Sequence, residues 1–344
     1  MGYRSLHSAF HFPQGRVFPG QCTFLITDAL AADGSFLLHH FITSALQVGP
    51  SGTSSTEQLG TAMRRQLHLH SKPDSTSSAS SAPGPDYQVI LVGLAQIFNH
   101  YLLVARKLGV NLMTYREQNR FVFVDGLSRL ASVSDSRTLV PGQANVPTTA
   151  TTPSYVLPTF HHGDQSSQRY LDDLLREILS FLEQAQSSDS TQASSDKPSS
   201  PLTPCLIFDD ISVLWNLGMD ANAIVQFLLA CKLAVESRDG ALIILVHADT
   251  CLASQQQSTD RTTTDTNAFS KGYDYFIRSL QRLATIVLQT EPLTSGHSRD
   301  VHGQLSMLRG PQCYSKEFKS RVLHYKIYDN NAEFFAPGFS SAVL

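Results

Sequence analysis

Cys22-Thr-Phe-Leu-Ile-Thr27, Asp28-Ala-Leu-Ala-Ala-Asp33-Gly34, Ser35-Phe-Leu-Leu-His-His-Phe41 reads as a strand, a turn and a helix. A short apolar run that ends in a polar turn fits a strand buried on both faces, and a helical segment after it is the first step of a βα repeat. A nucleotide-binding α/β protein carries G-x-x-x-x-G-K-[ST] at this turn: backbone N–H groups cradle phosphate, the lysine reaches the outer phosphates and the hydroxyl holds magnesium. Here Ala29 stands at the first glycine and Gly34 keeps the second. Ser35 replaces the lysine and Phe36 the magnesium-binding hydroxyl. Asp33 adds negative charge where phosphate would sit, and its short carboxylate suits the N-cap of the following helix. The N-terminus of that helix retains a weak attraction for anions, but this chain is not expected to hydrolyse nucleotide alone.

Outward from this unit the pattern repeats. Further buried strands are expected at Tyr87–Gly93, Phe121–Asp125, Pro204–Asp210, Ala241–His247 and Ala284–Gln289. Helices are expected at Ile97–Leu108, Arg169–Gln186, Ala221–Glu236 and Tyr273–Gln281, the first of them closed by Gly109 in the left-handed cap position. Strands alternating with helices predict a mainly parallel central sheet with helices on both faces. Near the end the chain changes character: 301–308, 322–328 and 332–336 read as antiparallel strands, with Asp329-Asn330-Asn331 as a hairpin turn. The order of elements is that of a RecA-like α/β domain spanning 21–344, preceded by an irregular segment at 1–20. Polar insertions rich in serine, threonine and proline are expected at about 50–86, 132–168 and 187–201, since such stretches bury too little apolar surface to offset ordering entropy.

The 344 residues suffice for one large domain or two small ones. Hydrophobic residues make up 42% and charged residues 16%, a balance that fills a core but leaves a surface short of charge, as expected where other subunits cover part of it. The net charge of −3 argues against a protein that wraps nucleic acid unaided. The five cysteines, Cys22, Cys205, Cys231, Cys251 and Cys313, show no C-x-x-C pair and are read as reduced thiols. That points to a reducing, cytoplasmic compartment, with the nucleus also compatible. No signal peptide or run of membrane-spanning length is seen, so no membrane association is expected.

Few residues declare chemistry. Asp209 and Asp210 end an apolar strand in the Walker B pattern, where an acid holds magnesium. Without the lysine, the favoured reading is that they accept backbone N–H groups at the strand end. No catalytic residue, metal site or cofactor is assigned. The histidine pairs His39/His40, His68/His70 and His161/His162 lack ligand partners at metal-binding spacing. Two basic segments are candidate phosphate-backbone contacts. One is the loop carrying Lys316, Lys319 and Arg321; the other is Arg261 and Lys271, in and just after the polar loop beyond the fifth strand.

Several blocks lie in order along this framework: Asp33-Gly-Ser-Phe-Leu-Leu-His-His-Phe41, Val92-Gly-Leu-Ala-Gln-Ile-Phe-Asn-His100, Lys107-Leu-Gly-Val-Asn-Leu112, Asp209-Asp-Ile-Ser-Val-Leu214, Asn216-Leu-Gly-Met219, Arg299-Asp-Val-His-Gly-Gln-Leu305 and Phe334-Phe-Ala-Pro-Gly-Phe-Ser-Ser-Ala-Val-Leu344. In these blocks the chain resembles the Elongator complex subunit 6 family. The resemblance implies a RecA-like subunit without a Walker A lysine, joined to Elongator subunits 4 and 5 in a heterohexameric ring. It implies that the ring docks on the catalytic Elongator subassembly, binds tRNA and supports carboxymethyl-type modification of the wobble uridine. The chemical step then belongs to another subunit. Two alternatives stand beside it: a nucleotidase with a non-standard site that sets Asp209 or Asp210 on magnesium, and a small-molecule enzyme on the same fold.

Overall fold

The computed structural model describes residues 6, 10, 16–47, 85–135, 160, 165–187, 201–248, 264–296, 298–314 and 318–338. The strands are β1 (Cys22–Asp28), β2 (Tyr87–Gly93), β3 (Phe121–Asp125), β4 (Thr203–Asp209), β5 (Ala241–His247), β6 (Ile286–Glu291), β7 (Gly303–Arg309), β8 (Arg321–Tyr328) and β9 (Asn331–Phe335). They form one sheet in the order β3-β2-β4-β5-β1-β6-β7-β8-β9. The first six in that order pair in parallel, and β6 through β9 pair antiparallel as a meander. This is the mainly parallel α/β sheet with antiparallel C-terminal strands expected of a RecA-like domain. β1 lies inside the sheet, with β5 between it and β4.

The helices are α1 (Ser35–Gln47), α2 (Phe98–Lys107), α3 (Leu112–Glu117), α4 (Gly126–Asp135), α5 (Gln165–Ser187), α6 (Ser212–Asn216), α7 (Ala221–Glu236) and α8 (Thr264–Leu283). Alternate strand residues divide them between the two faces, as the two-residue period of a strand requires. Phe24, Ile26, Leu91, Ile207 and Ile243 join one core with Leu37, Phe41 and Ala45 of α1 and Tyr101 of α2. Leu25, Ile90, Phe208, Leu242 and Ile244 join the other with Leu174 and Ile178 of α5, Leu228 and Val235 of α7 and Phe276 of α8. The central strands are buried on both sides, which is why they read as unbroken apolar runs.

Several boundaries differ from those expected. α5 begins at Gln165 rather than Arg169, and α8 begins at Thr264 rather than Tyr273, so both helices open with polar residues that carry no apolar stripe. The loop expected over 132–168 therefore has helix at both edges, the end of α4 and the start of α5. Most of that insertion, and nearly all of 50–86 and 187–201, lie outside the described residues. Helices α3, α4 and α6 are additions to the expected set. Within the segment at 1–20, Leu6, Phe10, Val17 and Phe18 are buried, and the Phe10 ring stands 6.0 Å from Phe24. The N-terminal segment thus contributes to the first core. Cys22, Cys205 and Cys231 are buried free thiols, and Cys313 is partly buried. Burial pushes the first three thiols above their ordinary range.

Candidate functional site

The carboxyl ends of β1, β4 and β5 meet at one rim of the sheet, where ligands bind in open α/β folds. The turn after β1 is built on its own residues. Ala29 and Ala32 form an antiparallel bridge, closed by the Ala32 N–H donating to the Ala29 carbonyl at 2.8 Å. The Thr290 hydroxyl on β6 donates to the Ala32 carbonyl at 2.8 Å, tying the turn to the sheet. This closure draws the turn back on itself, where a phosphate cradle would be an open arc.

Two of the N–H groups that would face phosphate have side-chain acceptors. Gly34 N–H donates to Asp28 Oδ2 at 2.8 Å. Ser35 N–H donates to Asp33 Oδ1 at 2.7 Å, and the Ser35 hydroxyl to Asp33 Oδ2 at 2.9 Å. Asp28 and Asp33 thus stand as the anions at this helix N-terminus. Gly34 sits at a close approach: a Cβ there would lie 3.0 Å from Asp28 Cβ and 3.0 Å from Ile26 Cγ2, and both would have to give way slightly. Phe36, at the magnesium-hydroxyl position, is buried against the meander, with its ring 5.0 Å from Tyr325 and stacked at 6.2 Å on Phe334.

Asp209 and Asp210 turn to different partners. Asp209 Oδ2 accepts the Gln96 N–H at 3.0 Å, and the carboxylate is hydrogen-bonded to the Tyr101 hydroxyl. Burial pushes its carboxyl up to about 6, against the pull of those two donors. Asp210 adopts φ 47°, a left-handed conformation that Asp tolerates better than most side chains. Its Oδ1 accepts the Ser212 N–H at 3.1 Å, and its Oδ2 faces His247 Nε2 at 3.2 Å. Both carboxylates therefore accept backbone N–H groups beyond the strand end.

His247, the last residue of β5, sits between two carboxylates, with Nδ1 on Asp28 Oδ1 and Nε2 on Asp210 Oδ2. The Asp210 and Asp28 hydrogen bonds hold its pKa up, at about 10, against burial. Burial pushes the Asp28 carboxyl up, with His247 and Gly34 pulling the other way. The backbone of His247 is pinned as well: its N–H donates to Ser212 Oγ at 2.8 Å, and its carbonyl accepts from the Tyr273 hydroxyl. Asp28, His247, Ser212 and Tyr273 are not among the residues singled out from the sequence. A usable signal is present there, because the apolar runs of β1, β4 and β5 all end on a titratable side chain.

The other candidates lie elsewhere. Lys271 is exposed within helix α8 rather than beside a polar loop. Lys319 is exposed just before β8, and Arg321 is the first residue of β8, paired with Met307. Arg261 and Lys316 fall outside the described residues. A recess of about 100 Å³ opens beside Asp28, lined also by Thr27, Gln289, Thr290 and Glu291. Small-molecule sites usually measure about 300–1,000 Å³, so this recess does not favour a small-molecule enzyme. Among the described residues no group of three or more His, Cys, Asp or Glu side chains is arranged to hold a metal ion, and no helix is long and apolar enough to cross a membrane.

The family described as Elongation complex protein 6 matches residues 85–329. The chain is 28% identical over 323 residues to Elongator complex protein 6 of Xenopus laevis, covering 91% of this chain and 89% of that protein. To Elongator complex protein 6 of Homo sapiens it is 27% identical over 342 residues, covering 98% of each. Among solved structures, a KaiC-like protein of Pyrococcus horikoshii OT3 aligns over 97% of this chain and 99% of its own, at 12% identity and a TM-score of 0.45.

Proposed function

Since this chain belongs to the Elongation complex protein 6 family, we propose that it is a non-catalytic accessory subunit of Elongator. It joins subunits 4 and 5 in a heterohexameric ring that docks on the catalytic subassembly and holds tRNA while the wobble uridine is modified. The observation that carries the non-catalytic part is the self-filled phosphate loop: Asp28 and Asp33 accept the Gly34 and Ser35 N–H groups, and Phe36 is committed to the core. A site of this kind offers phosphate two carboxylates where it needs donors and a cation.

The decisive experiment is a titration of the purified chain with labelled ATP and GTP, with and without magnesium. No saturable binding in the micromolar range is expected, and micromolar, magnesium-dependent binding would overturn the reading. The tRNA part rests on a near-neutral chain contributing exposed cations to an assembly that pools weak contacts. Charge reversal at Lys316 and Lys319 is expected to weaken tRNA binding by the reconstituted ring most at low salt. Unchanged affinity at low salt would remove this loop from the contact surface.

A further inference from the structure

The loss of phosphate-loop chemistry leaves an unusual arrangement at the rim. Three parallel strands end side by side, and each supplies one member of a single hydrogen-bonded group: Asp28 from β1, Asp210 directly after β4, and His247 from β5. The ring of His247 has a carboxylate oxygen at each nitrogen. A neutral imidazole donates from one nitrogen only, whereas an imidazolium satisfies two carboxylate acceptors. Each carboxylate is in turn tied to the start of the next helical segment, Asp28 through the Gly34 N–H before α1 and Asp210 through the Ser212 N–H of α6. Backbone bonds complete the connection: Ala248 N–H donates to the Asp28 carbonyl at 2.8 Å, and Ile211 N–H to the Leu245 carbonyl at 2.9 Å.

We propose that His247 is a protonated clamp: its imidazolium stands in for the cation that a nucleotide-loaded site would supply, fastens the ends of β1, β4 and β5 to one another, and lets go when deprotonated. This rests on the reading that the site takes no nucleotide. The groups facing the ring are Asp28 from β1, Asp210 from the end of β4 and, on its backbone, Tyr273 from α8. Asp33 adds negative charge beside Asp28, and Asp209 lies beside Asp210, so the surroundings favour the protonated ring. The sign follows by linkage. A histidine held up at about 10 in the native state, and ordinary when unfolded, stabilises fully below its unfolded value of about 6.5. That contribution is lost as pH rises from there through about 10.

The test uses the full chain with 15N-labelled histidine. The His247 ring is expected to carry protons on both nitrogens at neutral pH and to titrate well above the ordinary histidine range. A neutral tautomer at neutral pH would overturn the clamp. In parallel, melting temperatures of wild type and His247→Gln are compared from about pH 6.5 to about pH 10. The wild-type advantage should shrink steadily across that range. An advantage that stays constant would mean that the ring only packs, and would also overturn the proposal. Should His247→Gln fail to fold, Asp210→Asn serves instead: losing one facing charge should move the His247 titration to lower pH by about one pH unit or more, and an unmoved titration would count against the clamp. Nucleotide binding by the wild-type chain, measured separately, would fault the non-catalytic reading without deciding the protonation state of His247.

Discussion

The rim at the carboxyl ends of β1, β4 and β5 and the outer side of α7 treat their surfaces in opposite ways. At the rim, Asp28 and Asp33 accept the Gly34 and Ser35 N–H groups of the turn after β1, Asp209 and Asp210 accept those of Gln96 and Ser212 in neighbouring turns, and an imidazole bridges Asp28 and Asp210. On α7, Ile224, Leu228 and Val235 face the core, while Leu229 and Leu233, one helical turn apart, point to solvent, with Leu233 60% exposed. The rim bonds its own polar groups to one another. The helix leaves apolar surface uncovered, as a subunit of a larger assembly does.

Four variants bear on that contrast. Phe36→Ala should do most damage, because it empties a buried ring site between α1 and the meander: a loss of about 3 kcal/mol or more in urea unfolding is expected. A loss below about 1 kcal/mol would mean that Phe36 is not built into the core. Asp28→Asn comes next, at about 1–3 kcal/mol, since it leaves His247 with one charged partner and weakens the acceptor of the Gly34 N–H. It should create no affinity for ATP; saturable, magnesium-dependent binding by this variant would show that Asp28 alone keeps the site shut.

Asp209→Asn should change stability at neutral pH by about 1 kcal/mol or less, because the amide keeps an oxygen for the Gln96 N–H. Its pH dependence is more telling. A carboxyl raised to about 6 binds its proton more tightly in the native state than in the unfolded chain, so wild type should gain on the variant as pH falls from about 6 towards about 4. A difference flat across that interval would contradict the burial of the charge. The smallest effect on folding is expected for Leu229→Ser with Leu233→Ser, within about 0.5 kcal/mol for the isolated chain, as measured by thermal melting. The same pair should lose co-purification with its Elongator partners if this face is covered in the complex. Retained assembly would leave the outer side of α7 as ordinary exposed surface.

The sheet is legible in the sequence because its strands are buried on both faces: Cys22–Asp28 and Ala241–His247 are short runs with apolar centres and β-branched residues, of strand length. The helix starts at Gln165 and Thr264 are not, since Ser166, Ser167 and Gln168 or Asp265 and Thr266 resemble the linkers before them and are helical only by continuity with the apolar turns that follow. The absence of the phosphate-loop lysine is plain at Ser35. Its consequence is not, because the group that fills the rim joins residues 219 positions apart, Asp28 and His247. No spacing rule relates them; only the placing of β5 beside β1 does.

Phe36 also stands in the way of building a phosphate loop here. Restoring a lysine at Ser35 would put a cation beside Asp33, but the position after it would still hold a ring wedged against Tyr325 and Phe334. Exchanging that ring for a hydroxyl would open a cavity before it offered a magnesium ligand. The change at Phe36 would therefore lower stability before it supplied any nucleotide chemistry. The aromatic seam between α1 and the C-terminal strands thus ties the identity of residue 36 to the packing of the core rather than to the turn beside it.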